Sequence, residues 1–270
     1  MSELFGNNAA QMMKKNVMKE DFGWEVPVES VPLPSRGVIY SPDSTIYNRE
    51  TIPIKAMTAR DEDILSSQAY IKEGTVISEL IKSCVTDKSF NIDDLILGDR
   101  NALMISVRIT GYGADYNVIS TCKNCSHKNN VTVMLSDLKI NRLTINPTEE
   151  GKNEFEFTLP VTKKSVTFKF LSMRDDKDRT AEQAMLKTAT GESITSFLRH
   201  SILSIDGIKD KNKIRHFVNN MPAFDSKELR KFIRENEPGM DMGANYICEK
   251  CSFNNEFEVP MSSEFFWPST

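Results

Sequence analysis

Four of the five cysteines stand in two CxxC pairs, Cys122-Lys-Asn-Cys125 and Cys248-Glu-Lys-Cys251, and no other feature restricts the fold as strongly. Two thiolates at this spacing grip one face of a tetrahedral ion. A second pair closes the site, and an all-sulfur site suits zinc. Cys122, Cys125, Cys248 and Cys251 are therefore expected to hold one structural zinc ion. A closed four-sulfur site leaves no position for water, so it does not point to metal catalysis. The start of the chain lacks the long apolar run of an export signal, and no stretch approaches the roughly 18 apolar residues of a membrane span. The expectation is a cytoplasmic protein, where thiols stay reduced and cysteines do not form a disulfide framework. The competing readings are two metal-free turns or a redox CxxC. The latter needs a reactive thiolate at a helix start, and neither pair opens an obvious helix.

Each pair is followed by a similar run, Ser126-His127-Lys128-Asn129-Asn130-Val131-Thr132-Val133 and Ser252-Phe253-Asn254-Asn255-Glu256-Phe257-Glu258-Val259. Short β-prone runs, Tyr116 to Ser120 and Ala244 to Ile247, precede them. Each half thus reads as strand, metal-binding turn, strand, and two such hairpins sharing a zinc make a zinc ribbon. The 122 positions between Cys125 and Cys248 exceed ordinary ribbon spacing, so a folded insertion must return the second pair.

An internal repeat explains that insertion. Thr51 to Glu62 aligns with Ser165 to Asp176 at an offset of 114, each an alternating strand ending in a Thr or Ser helix cap with acidic residues after it. Ile77 to Lys82 aligns with Ile194 to Arg199 as an apolar helical stripe. Asp99 and Asp225 each open a helix, Leu103 matching Leu229 and Arg108 matching Arg234, with Gly113 and Gly239 as C-caps. The offset there is 126, the same as between the cysteine pairs. The expected fold is α+β: two pseudo-two-fold related halves, each of short strands and about three helices, joined by the shared ribbon. The divisions are an arm and proline-rich strap over residues 1–50, a first half over 51–135, a connector and hairpin start over 136–164, a second half over 165–260 and an aromatic tail over 261–270.

Pro27, Pro32, Pro34 and Pro42 make residues 22–47 extended and exclude a helix there. This strap would contact a partner or pack on its own domain. Alternation on both sides of a short loop in residues 153–171 predicts a β-hairpin. Cys84, on an apolar helical stripe, reads as a core thiol. His127 neighbours the first pair, but four sulfurs already close the site; His200 and His216 sit in helical contexts. Phe265, Phe266 and Trp267 would be a sticky patch if exposed, so they dock on a partner or on the chain itself. The N-terminal arm, residues 1–21, has too few apolar positions for a core of its own and is expected to contact partners. No nucleophile triad, phosphate loop or dinucleotide fingerprint is present, so no catalytic residue is assigned and no enzyme is expected. Lys123, Lys128 and Lys250 around the cysteines raise the alternative of a zinc-ribbon nucleic-acid-binding protein, which the net charge of −4 opposes.

Several of these segments are similar to a family. Leu33-Pro34-Ser35-Arg36-Gly37, Met57-Thr58-Ala59-Arg60-Asp61-Glu62-Asp63-Ile64-Leu65, Gly98-Asp99-Arg100, Gly111-Tyr112-Gly113-Ala114-Asp115-Tyr116 and Phe266-Trp267-Pro268 resemble the baseplate hub and hub-assembly proteins of T-even-like contractile-tailed bacteriophages. The resemblance implies a non-enzymatic structural or assembly protein of the tail baseplate. It would contact other baseplate proteins, in the host cytoplasm during assembly and then in the virion tail. Family members do not all carry the cysteine pairs, so zinc rests on this sequence alone.

Overall fold

The structure, a computed structural model, describes residues 16–19, 25–89, 91–185, 194–261 and 263–266. It is a mixed α+β fold of small antiparallel sheets and short helices. The first sheet has the order β1 (Asn16–Lys19), β2 (Glu25–Pro32), β3 (Thr51–Lys55). Alternation along β3 turns Ile52 and Ile54 fully inward. The strap between β2 and β3 packs on its own domain, burying Leu33, Ile39, Tyr40 and Ile46. Gly37 makes its tightest bend at φ 73°, where a Cβ would lie 2.5 Å from the Ile46 carbonyl oxygen.

Helix α1 (Ala59–Ser66) starts as expected at Thr58, whose N–H and hydroxyl both donate to Asp61 Oδ2, at 2.8 and 2.7 Å. Helices α2 (Gln68–Glu73) and α3 (Val76–Cys84) follow. Leu80, Ile81 and Cys84 form the buried face of α3, and Val85 then returns to bridge Ile54. Helix α4 (Leu97–Tyr112) ends at Gly113, whose N–H bonds the Ile109 carbonyl, and leads into β4 (Asp115–Thr121) and β5 (Lys128–Met134). A short strand β6 (Ile140–Asn141) lies in the connector.

The chain then continues through a second set of strands and helices. The predicted hairpin is β7 (Phe155–Thr158) with β8 (Ser165–Phe168), and β9 (Ile202–Ile205) pairs with β8 as Val85 pairs with Ile54. Between them run α5 (Met173–Met185) and α6 (Ile194–Ser201). Then come α7 (Lys211–Asn220), α8 (Ala223–Asn236), β10 (Gly239–Met240), β11 (Gly243–Ile247) and β12 (Asn254–Glu258). Four helices per half are described, against the expected three. The added α2 is barely two turns, and α7 stands where the first half has only a 3-10 turn, Ile92–Asp94.

Two capping expectations fail. Gly239 ends no helix; it lies in β10, paired with Asn141. Asp99 and Asp225 are third residues of α4 and α8, whose N-caps are Ile96 and Pro222. Both carboxylates turn outward from their helix to hold the loop of the preceding hairpin. Asp99 accepts from Ser35 N–H (2.9 Å), Ser35 Oγ (2.5 Å) and Tyr40 Oη (2.6 Å). Asp225 accepts from the N–H groups of Val161 (2.7 Å) and Thr162 (3.0 Å). The helix before each cysteine hairpin is thereby tied to the loop that precedes its own half.

Of the two readings of the aromatic tail, docking on the chain itself is the one that Phe265 and Phe266 follow. Both are essentially inaccessible. Phe265 meets Tyr116 edge-on at 5.1 Å and Phe266 at 5.2 Å. The buried Arg108 donates Nε to the Phe265 carbonyl (2.8 Å), Nη1 to Gly113 (2.8 Å) and Nη2 to Asp115 (3.1 Å). One buried guanidinium thus serves three backbone carbonyls. Trp267, and residues 1–15 and 20–21 of the arm, lie outside the described residues; Asn16–Lys19 is the edge strand β1.

Candidate metal centre

The two cysteine turns are built alike. Cys122 N–H donates to the His127 carbonyl (2.8 Å) and Ser126 N–H to the Cys122 carbonyl (2.9 Å). In the second turn Cys248 N–H donates to Phe253 and Ser252 N–H to Cys248, both at 2.9 Å. Ser126 and Ser252 take the same left-handed conformation, φ 57° and 56°, so each chain folds back sharply after its second cysteine. The flanking strands keep full antiparallel register, Thr121 against Lys128 and Ile247 against Asn254, which aims both sulfurs of each pair the same way.

The turns face each other, and their contacts are reciprocal. Cys122 Sγ lies 3.7 Å from Cys251 Sγ, and Cys125 Sγ lies 3.7 Å from Cys248 Sγ. All four sulfurs fall within 4.8 Å of one another. That separation is too long for a disulfide. It matches the edge of a tetrahedron with Zn–S bonds of ~2.3 Å, about 3.8 Å. The donor set therefore fits a four-coordinate thiophilic ion. Among the described residues no other cluster of three or more His, Cys, Asp or Glu side chains has this form.

Two asparagines join the turns. Lys123 N–H donates to Asn255 Oδ1 (2.9 Å), and Glu249 N–H donates to Asn129 Oδ1 (3.0 Å). Asn129 and Asn255 are almost fully buried. Each returns its Nδ2 to its own turn, to the carbonyls of His127 and Phe253, both at 3.0 Å. Asn255 Nδ2 also reaches Cys122 Sγ at 3.5 Å. Neither asparagine was assigned from sequence. The available signal was an Asn four positions after the last cysteine of each pair.

Sulfurs at this spacing compete for charge. Burial would raise the Cys122 thiol, but N–H donors of Cys125 and Asn124, with Asn255 and Cys251, outweigh it and bring it to about 6. Cys248 is lowered in the same way, by N–H groups of Cys251 and Lys250 against burial. At Cys125 the bond from His127 favours the thiolate, but burial and the other three sulfurs push the thiol up to about 12. Four thiolates coexist here only with a cation among them.

The remaining candidates stay outside the site. Burial pushes the Cys84 thiol up to about 12, so it remains a protonated core group. His127 contributes its carbonyl, and His200 Nδ1 lies 2.9 Å from the Ser196 carbonyl oxygen. Lys123 Nζ donates to the Glu256 carbonyl at 2.7 Å, which holds its charge against the second hairpin. No described helix is long and apolar enough to cross a membrane.

Comparison with curated proteins and with solved structures finds no match to the chain. The family model described as T4 bacteriophage base plate protein matches residues 39–267, which include both cysteine pairs, Asp99 and Asp225 but only the end of the strap. The chain belongs to the T4 bacteriophage base plate protein family.

Proposed function

We propose that this chain is a non-enzymatic structural or assembly protein of a contractile-tail baseplate, working through protein–protein contacts on a body pinned by one zinc ion. Family membership over most of the chain carries the tail role. The reciprocal four-sulfur site carries the zinc, held by Cys122, Cys125, Cys248 and Cys251. Residues 51–135 and 165–260 are two copies of one substructure, and the ion lies on the local dyad between their knuckles. The shared element order, the paired roles of Asp99 and Asp225 and the exchanged asparagine bonds support this reading. The chain acts in the assembling tail inside the host and in the virion tail.

The nucleic-acid alternative has less support. The chain is net negative, and Lys123 is engaged by the Glu256 carbonyl. Two measurements test the proposal. Elemental analysis of purified protein should give one zinc per chain, and Cys122→Ser and Cys248→Ser should each abolish it. Mass spectrometry of purified tails and tail intermediates should find the chain in one or both. Its absence from every tail species would defeat the structural role.

A further inference from the structure

The two halves use equivalent surfaces differently. At the start of α4, Leu95 and Ile96 are completely buried, because the extended segment Leu171–Met173 pairs with them. Leu97 N–H donates to the Leu171 carbonyl and Met173 N–H to the Leu95 carbonyl, each at 2.9 Å. Gly98 sits so close to Pro238 that a Cβ would be 1.8 Å from its carbonyl oxygen. The offset of 126 that relates Asp99 to Asp225 maps these residues onto Met221, Pro222, Ala223 and Phe224. There no described segment pairs with the helix start: Met221 and Pro222 are half-buried, Ala223 is exposed, and Phe224 is 53% exposed.

A trough of about 430 Å³ opens beside this bare segment, floored by Ile208, Phe217, Met221 and Pro222. It exists because the second half carries α7 and the loop before it, where the first half has a 3-10 turn. Its rim carries a basic excess: Lys213 and His216 line it, Lys164 lines it in an ion pair with Asp206 (2.7 Å), which also lines it, and Lys209 and Lys211 lie on the same exposed loop and helix start. Lys209, Lys211 and Lys213 have no ion-pair partner among the described residues, in a chain of net charge −4. Lys211 and Lys213 also occupy the first turn of α7, where the helix dipole disfavours cations. Local stability gives no reason for lysines at those positions, whereas an acidic ligand does.

We propose that this trough docks an extended acidic segment carrying apolar side chains, supplied by another protein. Its apolar side chains would cover Ile208, Phe217 and Met221 while its carboxylates meet the lysine rim. That the supplier is a neighbouring baseplate protein rests on the tail reading above; the chemistry of the segment does not.

The test uses purified, metal-loaded full-length chain and a fluorescein-labelled ten-residue peptide of alternating glutamate and leucine. Fluorescence polarisation should show saturable binding that weakens with salt. The triple variant Lys209→Glu, Lys211→Glu, Lys213→Glu should weaken it roughly tenfold or more, and Ile208→Ser should weaken it as well. The triple variant should melt no lower than wild type, because glutamates suit the start of α7. A lysine–leucine peptide or a twelve-nucleotide oligothymidylate binding equally well would overturn the proposal. So would the absence of saturable binding, unchanged affinity in both variants, or self-association lost in the same variants, which would make a second copy the occupant. If the chain were missing from tails, the baseplate reading would fail while this result stood.

Discussion

Replacing Phe265 by alanine distinguishes a tail that belongs to the core from one that waits for a partner. The ring is fully buried between Tyr116 at 5.1 Å and Phe266 at 5.2 Å. A buried Phe→Ala change costs about 3–5 kcal/mol through lost transfer energy and the cavity left behind. Each edge-to-face ring contact adds about 0.5–1.5 kcal/mol beyond area burial. The site cannot easily collapse, because Arg108 beneath it is held by three carbonyls. About 4 kcal/mol is therefore expected, a large part of the roughly 5–15 kcal/mol that stabilises a typical fold. At about 2–4 °C per kcal/mol for a chain of this size, Tm should fall by about 8–16 °C. Circular dichroism melts at matched metal content measure it, with zinc quantified before and after so that ion loss is not mistaken for tail undocking. A Tm within about 2 °C of wild type would show that the tail contributes nothing in the isolated chain, and the core reading would be wrong.

Asn255→Ala should release zinc to a chromogenic chelator roughly tenfold faster than wild type, and Asn129→Ala by a smaller factor, because of these two amides the Asn255 one reaches a ligand sulfur. Equal release from all three proteins would remove the asparagines from any role in holding the metal. Burial pushes the Glu237 carboxyl up from 4.5 to about 7 against the pull of Arg179, so its ionisation destabilises the fold progressively as pH rises between those values. Glu237→Gln should therefore gain stability over wild type above about pH 7, by at most about 3 kcal/mol, and lose the gain near pH 5, as read from urea midpoints. At Asp225 burial opposes ionisation, but the N–H groups of Val161 and Thr162 outweigh it and hold the carboxyl below its usual 3.8. Its stabilisation is complete above that value and is lost as pH falls through the folded pKa. Asp225→Asn should thus be less stable than wild type at neutral pH, with a gap that closes in acid; a gap of constant size would mean that charge is irrelevant there.

The four-cysteine cluster was legible because its information is local. Cysteine spacing and a β-prone flank specify a knuckle without knowledge of the rest of the chain, and the two knuckles stand as the spacing requires. The 153–171 hairpin, the Thr58 cap and the Cys84 core position were readable for the same reason. What failed depended on tertiary partners. Asp99 and Asp225 look like caps by composition, but which way a carboxylate turns is decided by a loop 64 residues away in either half. Gly239 resembles a C-cap, yet pairing with Asn141 puts it in a strand. Phe265 and Phe266 look like a sticky end until Arg108 and Tyr116 are placed beside them. Helix α7, Lys211–Asn220, escaped because the repeat directed attention to what the halves share, and α7 has no helical counterpart in the first half.

Reciprocity at the knuckles has a thermodynamic consequence for the whole chain. Each half supplies two ligands and one buried asparagine, so neither half alone closes a tetrahedral site. An ion held by all four sulfurs would make metal binding and the docking of the two hairpins one equilibrium, its free energy feeding their relative placement. Elsewhere the halves meet without reciprocity. Leu95–Leu97 pairs with Leu171–Met173, and Gly98 rests on Pro238, while Phe224, the residue equivalent to Gly98, faces solvent. The proposed duplication would account for both facts: a shared ion would constrain the residues around it to stay alike in both copies, whereas surfaces far from it would be free to diverge. The bare start of α8 is such a surface. It keeps the Asp225 tie to its own hairpin, which its half needs to fold, and lacks the cover that its counterpart receives from within the chain.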